Sequence, residues 1–378
     1  MKEKITIGIL GGGQLAKMSA LQAYKLGYDI SILEKTKNSP AGKITQNEFV
    51  GWVDDYKILE SFANSASLIT LENEFVDYHH LEFLESLGKE VIPSSKTISL
   101  IQDKLIQKET LQKNNLPVAK FVSINSDTTY KNLSQKLGEK FILKSRKLGY
   151  DGYGNYLVNN EKSFLEGINK LSERHLELYA EEFVNFKKEL AIIVVRNKKE
   201  IKTYPVVETI QKNHICHLVI APIKLNNDLL NYVKKIAIQS VKAVEGFGVF
   251  GIEFFLTNEN KILINEMAPR THNTGHYTIE ACVTSQFENH IRSILDLPLG
   301  STEMIDKFAV MINLLGKTNG LNFPQNIEAV LKNSKAHIHI YGKEESRIGR
   351  KLGHITLVGK NKNELIKQAK ILERKIIY

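Results

Sequence analysis

The sequence is poor in the residues that staple small extracellular folds. Its 378 residues include only two cysteines, Cys216 and Cys282, which lie 66 positions apart. Neither has a second cysteine or a close histidine at zinc-ligand spacing, so neither a disulfide framework nor a structural metal is indicated, and a reducing cytoplasm fits best. Long apolar runs are missing as well. LAIIVV at 190–195 falls far short of the roughly 18 residues a membrane span needs. The start, MKEKITIGIL, places a glutamate among its lysines and runs straight into a strand, unlike a secretory leader. Low-complexity segments and internal repeats are absent, and 42% hydrophobic with 25% charged residues is an ordinary globular composition. Disorder is thereby excluded. At about 150 residues per domain the length allows two to three domains, each able to bury a core.

Acidic residues are scarce in one place. The chain has 51 Lys plus Arg against 42 Asp plus Glu, a net +9, but residues 331–378 alone hold 12 basic side chains and four glutamates. The basic character therefore belongs to the tail. Two aromatics, both Tyr, and no groove-binding motif argue against nucleic acid. An anionic small molecule and a plain solvated face remain as readings of this charge.

Along the chain, KITIGIL, GGGQ, LAKMSALQAYKLG and YDISILE predict a strand, a glycine turn, a helix and a second strand. Further strand and helix signals at 66–70 and 79–88, closed by VIPSS, predict an α/β domain with a parallel sheet over 1–96. A helix is expected over 97–115, then a short αβ module ending at KFILKSR and the loop KLGYDGYGN. From 179 on, YAEEFV, ELAIIVVRN, VFGIEFFLT and KILINEM predict a mostly antiparallel sheet with one helix at 228–245. The expected division is 1–96, 97–300 (a small module over 97–178 and a sheet module over 179–300) and a small α/β segment over 301–378 that carries the basic tail.

Several constellations bear chemistry. Gly11, Gly13 and Ala16 satisfy G-x-G-x-x-G/A between a strand and a helix, with Glu34 ending the next strand, so a nicotinamide dinucleotide is one expectation. The same turn suits any Rossmann-like domain that holds a phosphorylated ligand. LLGKT at 314–318 lacks the first glycine of a P-loop, Met311 standing in its place, and is discarded. The strongest feature is the pair of strands around Glu259 and Asn260. A two-residue turn there sets Glu253 opposite Glu266, and facing carboxylates repel unless a cation lies between them. Hard oxygen ligands at that spacing suit Mg²⁺, with Asn265 adding an oxygen if the strand bends. The alternative is an exposed hairpin with two solvated glutamates, but Glu253 is embedded in FGIEFF and Glu266 ends ILINEM. Lys104, and Lys144 at the end of the apolar strand KFIL, are suited to meet phosphates. Together these groups describe a nucleoside triphosphate site without a P-loop.

The order of these features resembles the ATP-grasp ligases. GILGGGQLAKM, KSRKLGYDGYGN, GVFGIEFF, INEMAPRTHNTGHYTIEAC and HIYGKEESRIGRKLGH resemble the N5-carboxyaminoimidazole ribonucleotide synthetase family of purine biosynthesis, over nearly the whole chain. The resemblance implies a Rossmann-like preATP-grasp domain, a central ATP-grasp fold and a small C-terminal segment. The implied reaction consumes ATP, bicarbonate and 5-aminoimidazole ribonucleotide through carboxyphosphate. It further implies Lys104 and Lys144 on the ATP phosphates, and a lid of Gly149, Tyr150, Asp151, Gly152, Tyr153, Gly154 and Asn155. Glu181 and the Val184 backbone are expected at adenine, with Glu182 and Phe183 also in the ATP site, Glu189 at the ribose hydroxyls, and Glu253 with Glu266 on Mg²⁺ or Mn²⁺, beside Asn265. Glu74, Tyr150, Asp151, Arg270, His272, Asn273, Lys343 and Arg350 are expected at the ribonucleotide, although His272 also reads as a structural histidine. A homodimer is implied. Three positions depart from the pattern: Phe75 follows Glu74 where Asn is usual, Tyr153 replaces a basic lid residue, and Gln211 replaces a histidine near ATP. A formate-dependent glycinamide ribonucleotide transformylase shares the scaffold and is the nearest alternative.

Overall fold

The computed structural model describes residues 4–149, 154–173 and 177–376. The first unit runs β1 (Thr6–Leu10), α1 (Gln14–Lys25), β2 (Asp29–Glu34), β3 (Asn47–Val50), α2 (Tyr56–Asn64), β4 (Leu68–Leu71), α3 (Tyr78–Ser86) and β5 (Glu90–Ile92). Its five strands form a parallel sheet in the order β3-β2-β1-β4-β5. Alternation along β1 sends Ile7 and Ile9 to one face, against Ala16 and Ala20 of α1, and Leu10 to the other, with Leu59 and Phe62 of α2. Gly8 on that second face leaves room for the helix, since a Cβ there would come within 2.8 Å of the Phe62 ring.

The helix expected over 97–115 is two helices, α4 (Ser95–Ser99) and α5 (Lys104–Lys113). Asp103 breaks the run because its carboxylate accepts from the amides of Leu105 and Ile106 at 2.9 and 3.3 Å, an N-cap that starts a new helix. The same carboxylate takes a forked ion pair from Arg146, with contacts of 2.9 and 2.7 Å. This tie sets the first residue of α5, Lys104, against the end of the next module.

That module comprises β6 (Phe121–Ser123), α6 (Tyr130–Leu137), β7 (Phe141–Ser145), β8 (Asn155–Val158), α7 (Glu161–Ser172) and β9 (Leu178–Glu182), with an antiparallel sheet ordered β6-β9-β7-β8. Phe141 and Leu143 of β7 bury against Leu133, Phe164 and Leu171 of the two helices. Period-two alternation therefore puts Lys144 on the opposite, helix-free face.

The remaining chain forms β10 (Phe186–Arg196), β11 (Ile201–Thr203), β12 (Val207–Lys212), β13 (Ile215–Ala221), α8 (Asn227–Ala243), β14 (Gly248–Thr257), β15 (Ile262–Ala268), α9 (Thr278–Ala281), α10 (Gln286–Ile294), β16 (Phe308–Leu315), β17 (Gly320–Leu321), α11 (Ile327–Leu331), β18 (Ala336–Ile340), β19 (Glu345–Ser346), β20 (Lys351–Gly359) and α12 (Lys362–Lys375). The large sheet runs β15-β14-β10-β12-β13-β16-β20-β18, with antiparallel pairing between neighbours. Residues beyond 300 thus extend this sheet through the β13–β16 pairing, where Leu218 faces Ile312. One face packs Leu190, Ile192, Ile252 and Phe254 against α8; the other carries Ala191, Ile193 and Tyr277. Glu253, next to Ile252 and Phe254 in sequence, turns to the face shared with its cross-strand partner Ala191. No described helix is long and apolar enough to cross a membrane.

Candidate active site

Five charged groups converge between the small antiparallel sheet and the edge of the large one. The Lys104 ammonium stands 3.0 Å from Glu266, and Lys108 and Lys144 each lie 2.9 Å from a carboxylate oxygen of Glu181. Lys108 sits one turn beyond Lys104 on α5 and also donates to the Ile264 carbonyl at 3.1 Å. Burial pushes the Glu181 carboxyl up, but the two ammoniums more than offset this and its pKa is lowered. Burial also dominates at Lys108, whose pKa is lowered in spite of Glu181. At Lys104 the balance is reversed: desolvation is outweighed by Glu266 and Glu74, and its pKa is raised. The Glu181 side chain, expected at adenine, is thus engaged by two lysines. Its neighbours are also tied: Glu182 accepts from the Lys120 amide at 2.9 Å, and Lys140 lies 3.6 Å above the Phe183 ring.

Glu253 and Glu266 are direct partners across the hairpin, as the expected turn required. The path to that pairing differs. Leu256 pairs with Ile262 and the Thr257 amide donates to Lys261, so the loop has three residues, Asn258, Glu259 and Asn260, with Asn260 at φ +63°. Beyond three paired positions, Leu256↔Ile262 to Phe254↔Ile264, a bulge at Asn265 restores the register to Glu253↔Glu266. The two departures cancel, and the bulged residue is the asparagine beside the carboxylate pair. Charge is distributed unequally across that pair. Desolvation, then Glu266 and Glu189, push Glu253 up to about 8, whereas the Lys104 ammonium overcomes desolvation at Glu266 and holds it down to about 2. Glu189, two residues along the neighbouring strand from Ala191, is itself raised by burial against a hydrogen bond from Gln211.

The segment after β15 joins this cluster to the first unit. Arg270 makes a two-contact ion pair with buried Glu74, its Nη2 donating to Glu74 Oε1 at 3.3 Å. Desolvation acts against both groups, yet Glu74 is lowered and Arg270 raised because each holds the other's charge. His272 lies with Nε2 3.8 Å from Glu253 and Nδ1 2.8 Å from the Thr274 hydroxyl. Burial and the nearby Arg270 lower its pKa to about 3, so the imidazole is neutral. Gly251 makes this approach possible, because a Cβ there would meet the His272 Cβ at 2.4 Å. Asn273 exchanges side-chain hydrogen bonds of 2.9 and 2.6 Å with buried Asn313 of β16. Phe75 is 41% exposed beside Glu74.

Lys343 donates to the Lys351 carbonyl at 3.0 Å, and its charge acts on Glu72; Arg350 donates to the Glu345 carbonyl at 2.8 Å, its pKa lowered by burial and by Arg347. Lys367, Lys370, Arg374 and Lys375 of α12 are exposed, a solvated face. Glu72, Lys108 and Gln286 were not singled out by the sequence. Only Lys108 had a signal, its i,i+4 spacing from Lys104; Glu72 and Gln286 act through contacts that no local pattern shows.

Of the expected lid, Gly149, Gly154 and Asn155 are described, while Tyr150, Asp151, Gly152 and Tyr153 lie outside the described residues. Gly154 has φ +88°, and a Cβ there would crowd Ser145 Oγ at 2.8 Å. The glycine turn at the start of α1 departs from the dinucleotide expectation. The amides of Gly13 and Leu15 donate to Glu72 at 2.6 and 3.1 Å, and that of Gly12 to Glu34 at 2.8 Å. Carboxylates of this chain occupy the seat a pyrophosphate would need, and Glu34 is spent on the turn instead of a ribose. The nicotinamide reading is corrected accordingly.

Comparison with known proteins agrees with this geometry. Family models match as "Ribonucleotide synthetase preATP-grasp domain" over 4–102, "ATP-grasp domain" over 109–287 and "Phosphoribosylaminoimidazole carboxylase C-terminal domain" over 309–368. The N5-carboxyaminoimidazole ribonucleotide synthase of Synechococcus elongatus is 38% identical over 370 residues, covering 97% of this chain and 93% of its own length. A phosphoribosylaminoimidazole carboxylase of Candida glabrata is 40% identical over 97% of this chain, which spans 66% of that longer protein. Among solved structures, the N5-carboxyaminoimidazole ribonucleotide synthetase of Thermotoga maritima superposes with a TM-score of 0.87 at 40% identity, covering 98% of both chains. The Aspergillus clavatus synthase, in complex with ADP and 5-aminoimidazole ribonucleotide, gives 0.90 at 36% identity over 98% of both.

Proposed function

We propose a reaction for this chain, which belongs to the N5-carboxyaminoimidazole ribonucleotide synthetase family of the ATP-grasp ligases: it uses ATP to attach bicarbonate to the amine of 5-aminoimidazole ribonucleotide, in purine biosynthesis. The products are the N5-carbamate, ADP and phosphate. A bicarbonate oxygen attacks the γ-phosphorus and ADP departs, leaving carboxyphosphate. The ribonucleotide amine then takes the carboxyl carbon and gives up a proton as phosphate leaves.

The supporting observation is the convergence of Lys104, Lys144, Glu253 and Glu266 in one cleft between two sheets. Phosphoryl transfer needs positioning and charge neutralisation more than covalent chemistry. In this reading Lys104 and Lys144 exchange their carboxylate partners for the triphosphate, and Glu189 with Gln211 meets the ribose. The main chain around Glu182, Phe183 and Val184 borders adenine. The residues fit a magnesium ion: paired carboxylates with a bulged asparagine beside them, and a Glu253 held protonated for want of positive charge. Glu253, Glu266 and Asn265 would hold it, and when bound it supplies neutralising charge to the phosphates.

The role assigned to the lid expected over 149–155 is to exclude the water that would hydrolyse carboxyphosphate. Arg270, His272, Asn273, Tyr150 and Asp151 orient the ribonucleotide, Glu74 holding the Arg270 fork in place. Lys343 and Arg350 bind its phosphate dianion. The neutral His272 orients without adding charge. The reading includes a cytoplasmic homodimer. Phosphate release from ATP, measured with and without bicarbonate and the ribonucleotide, is the test. Release indifferent to the ribonucleotide refutes the assignment, and release driven by formate with glycinamide ribonucleotide replaces it with the transformylase.

A further inference from the structure

Behind the segment that carries Arg270 and His272, a second group of ligating side chains is enclosed where α9 meets β18 and β20. Glu280 on α9 and His339 on β18 are in contact, Oε1 to Nε2, at 2.6 Å. His354 of β20 lies beneath His339, with ring centroids 4.5 Å apart and planes at 11°, and His276 lies 5.0 Å from His354 on another side. His276 and His354 have no solvent exposure. Among the described residues, three buried polar atoms lack any hydrogen-bond partner at this one place: Glu280 Oε2, His276 Nε2 and His354 Nε2. Buried polar atoms are nearly always satisfied, so the unpartnered Glu280 Oε2 and His354 Nε2 in one cluster indicate a missing partner. One ligand atom each from Glu280, His339 and His354 lie within 4.8 Å of one another.

From this convergence we infer that Glu280, His339 and His354 form a binding site for a divalent transition metal, zinc in the first instance, separate from the carboxylate pair of the ATP cleft. Two imidazole nitrogens and one carboxylate oxygen are a borderline donor set that selects zinc or cobalt over magnesium. The Tyr341 hydroxyl stands 3.0 Å from His354 Nδ1. That contact fixes the ring and leaves Nε2 to the metal, the usual outer support of a ligating histidine. In a tetrahedral site with bonds of about 2.0–2.1 Å, ligand atoms stand about 3.4 Å apart, so the group contracts on loading. His276, whose Nε2 is also unpartnered, adjoins the group through its ring contact with His354.

Such an ion ties the chain at 276–281 to the C-terminal sheet. Gln286 connects the two sites, donating to the His272 carbonyl at 2.7 Å and lying 3.2 Å from His276 Nδ1. The metal is therefore a clip that holds the substrate segment in register, with no part in bond making.

The test uses the full chain, stripped with chelator and titrated with Co²⁺ in excess Mg²⁺. One equivalent should bind, with the visible absorption of four-coordinate cobalt, and Zn²⁺ should displace it and raise the melting temperature. Glu266→Gln should retain this binding, which separates it from the cleft. His339→Gln, at a partly exposed position, should weaken it at least about tenfold. Failure of the unmutated chain to take up magnesium-resistant cobalt overturns the inference, as does undiminished binding in a folded His339→Gln.

Discussion

Replacing Glu181 by Gln removes one negative charge, at constant volume, from a site where it holds two lysines. Glu181 and Lys108 have side chains only 2% exposed and 2.9 Å apart, and Lys144, 14% exposed, closes the triad at the same distance. Removing one partner from a buried ion pair costs about 3–5 kcal/mol, because the survivor stays desolvated and unpaired. At about 2–4 °C per kcal/mol for a unit of this size, the melting temperature should fall by roughly 10 °C. The sign of the pH dependence follows from Lys108. Burial already lowers its pKa, and loss of Glu181 lowers it further, so in the variant the unfolded chain binds more protons than the folded one. The penalty is therefore full below the folded pKa of Lys108 and shrinks as pH rises towards 10.5. A Lys108→Met change in the Glu181→Gln background removes the stranded charge and should recover most of the loss. The assay is thermal and urea unfolding of both variants at neutral and alkaline pH. A Glu181→Gln cost below about 1 kcal/mol, or a double variant no more stable than the single one, refutes the reasoning.

Glu266→Gln should abolish ATP turnover while leaving the circular dichroism spectrum unchanged, since it takes a charge from both Lys104 and the cation seat; full activity would remove the metal from the account of the hairpin. Lys343→Ala and Arg350→Ala should raise KM for the ribonucleotide with little change in KM for ATP, and unchanged kinetics would make both part of a solvated face. Glu74→Gln should destabilise the protein at neutral pH by stranding Arg270. Glu74 has a depressed pKa, so its contribution is present above 4.5 and lost as pH falls through its folded value. Melting curves of protein and variant should therefore converge only in acid, and a gap independent of pH would show that the pair contributes through shape alone.

The parts legible in the sequence were those governed by short-range periodicity. Alternation in KFILKSR put Lys144 on the face away from the helices, and the hairpin set Glu253 opposite Glu266. The expected turn was one residue too short, and the pairing survived only because the Asn265 bulge added the residue back. LIQDKLIQKETL keeps an apolar spacing that predicts one helix over 97–115; Asp103 breaks it with a cap anchored on Arg146, 43 positions away. Glu72 filling the glycine turn, Glu181 shared by Lys108 and Lys144, and the His339–Glu280 contact have the same character. Each joins residues that are dozens of positions apart and have no common local pattern.

By itself, therefore, the sequence determined the strands and helices that carry the site, the paired carboxylates and the family to which the chain belongs. Those depend on repeats of two and 3.6 residues and on motifs contiguous in the chain. Only the tertiary structure decided which charges meet and which are protonated. It decided that Glu72 rather than a ligand sits on the turn before α1, that the tail continues the large sheet, and that Glu280, His339 and His354 converge without cysteine. A carboxylate's partner and solvation are set by distance through space, and the chain path that sets those distances is fixed by packing of whole sheets.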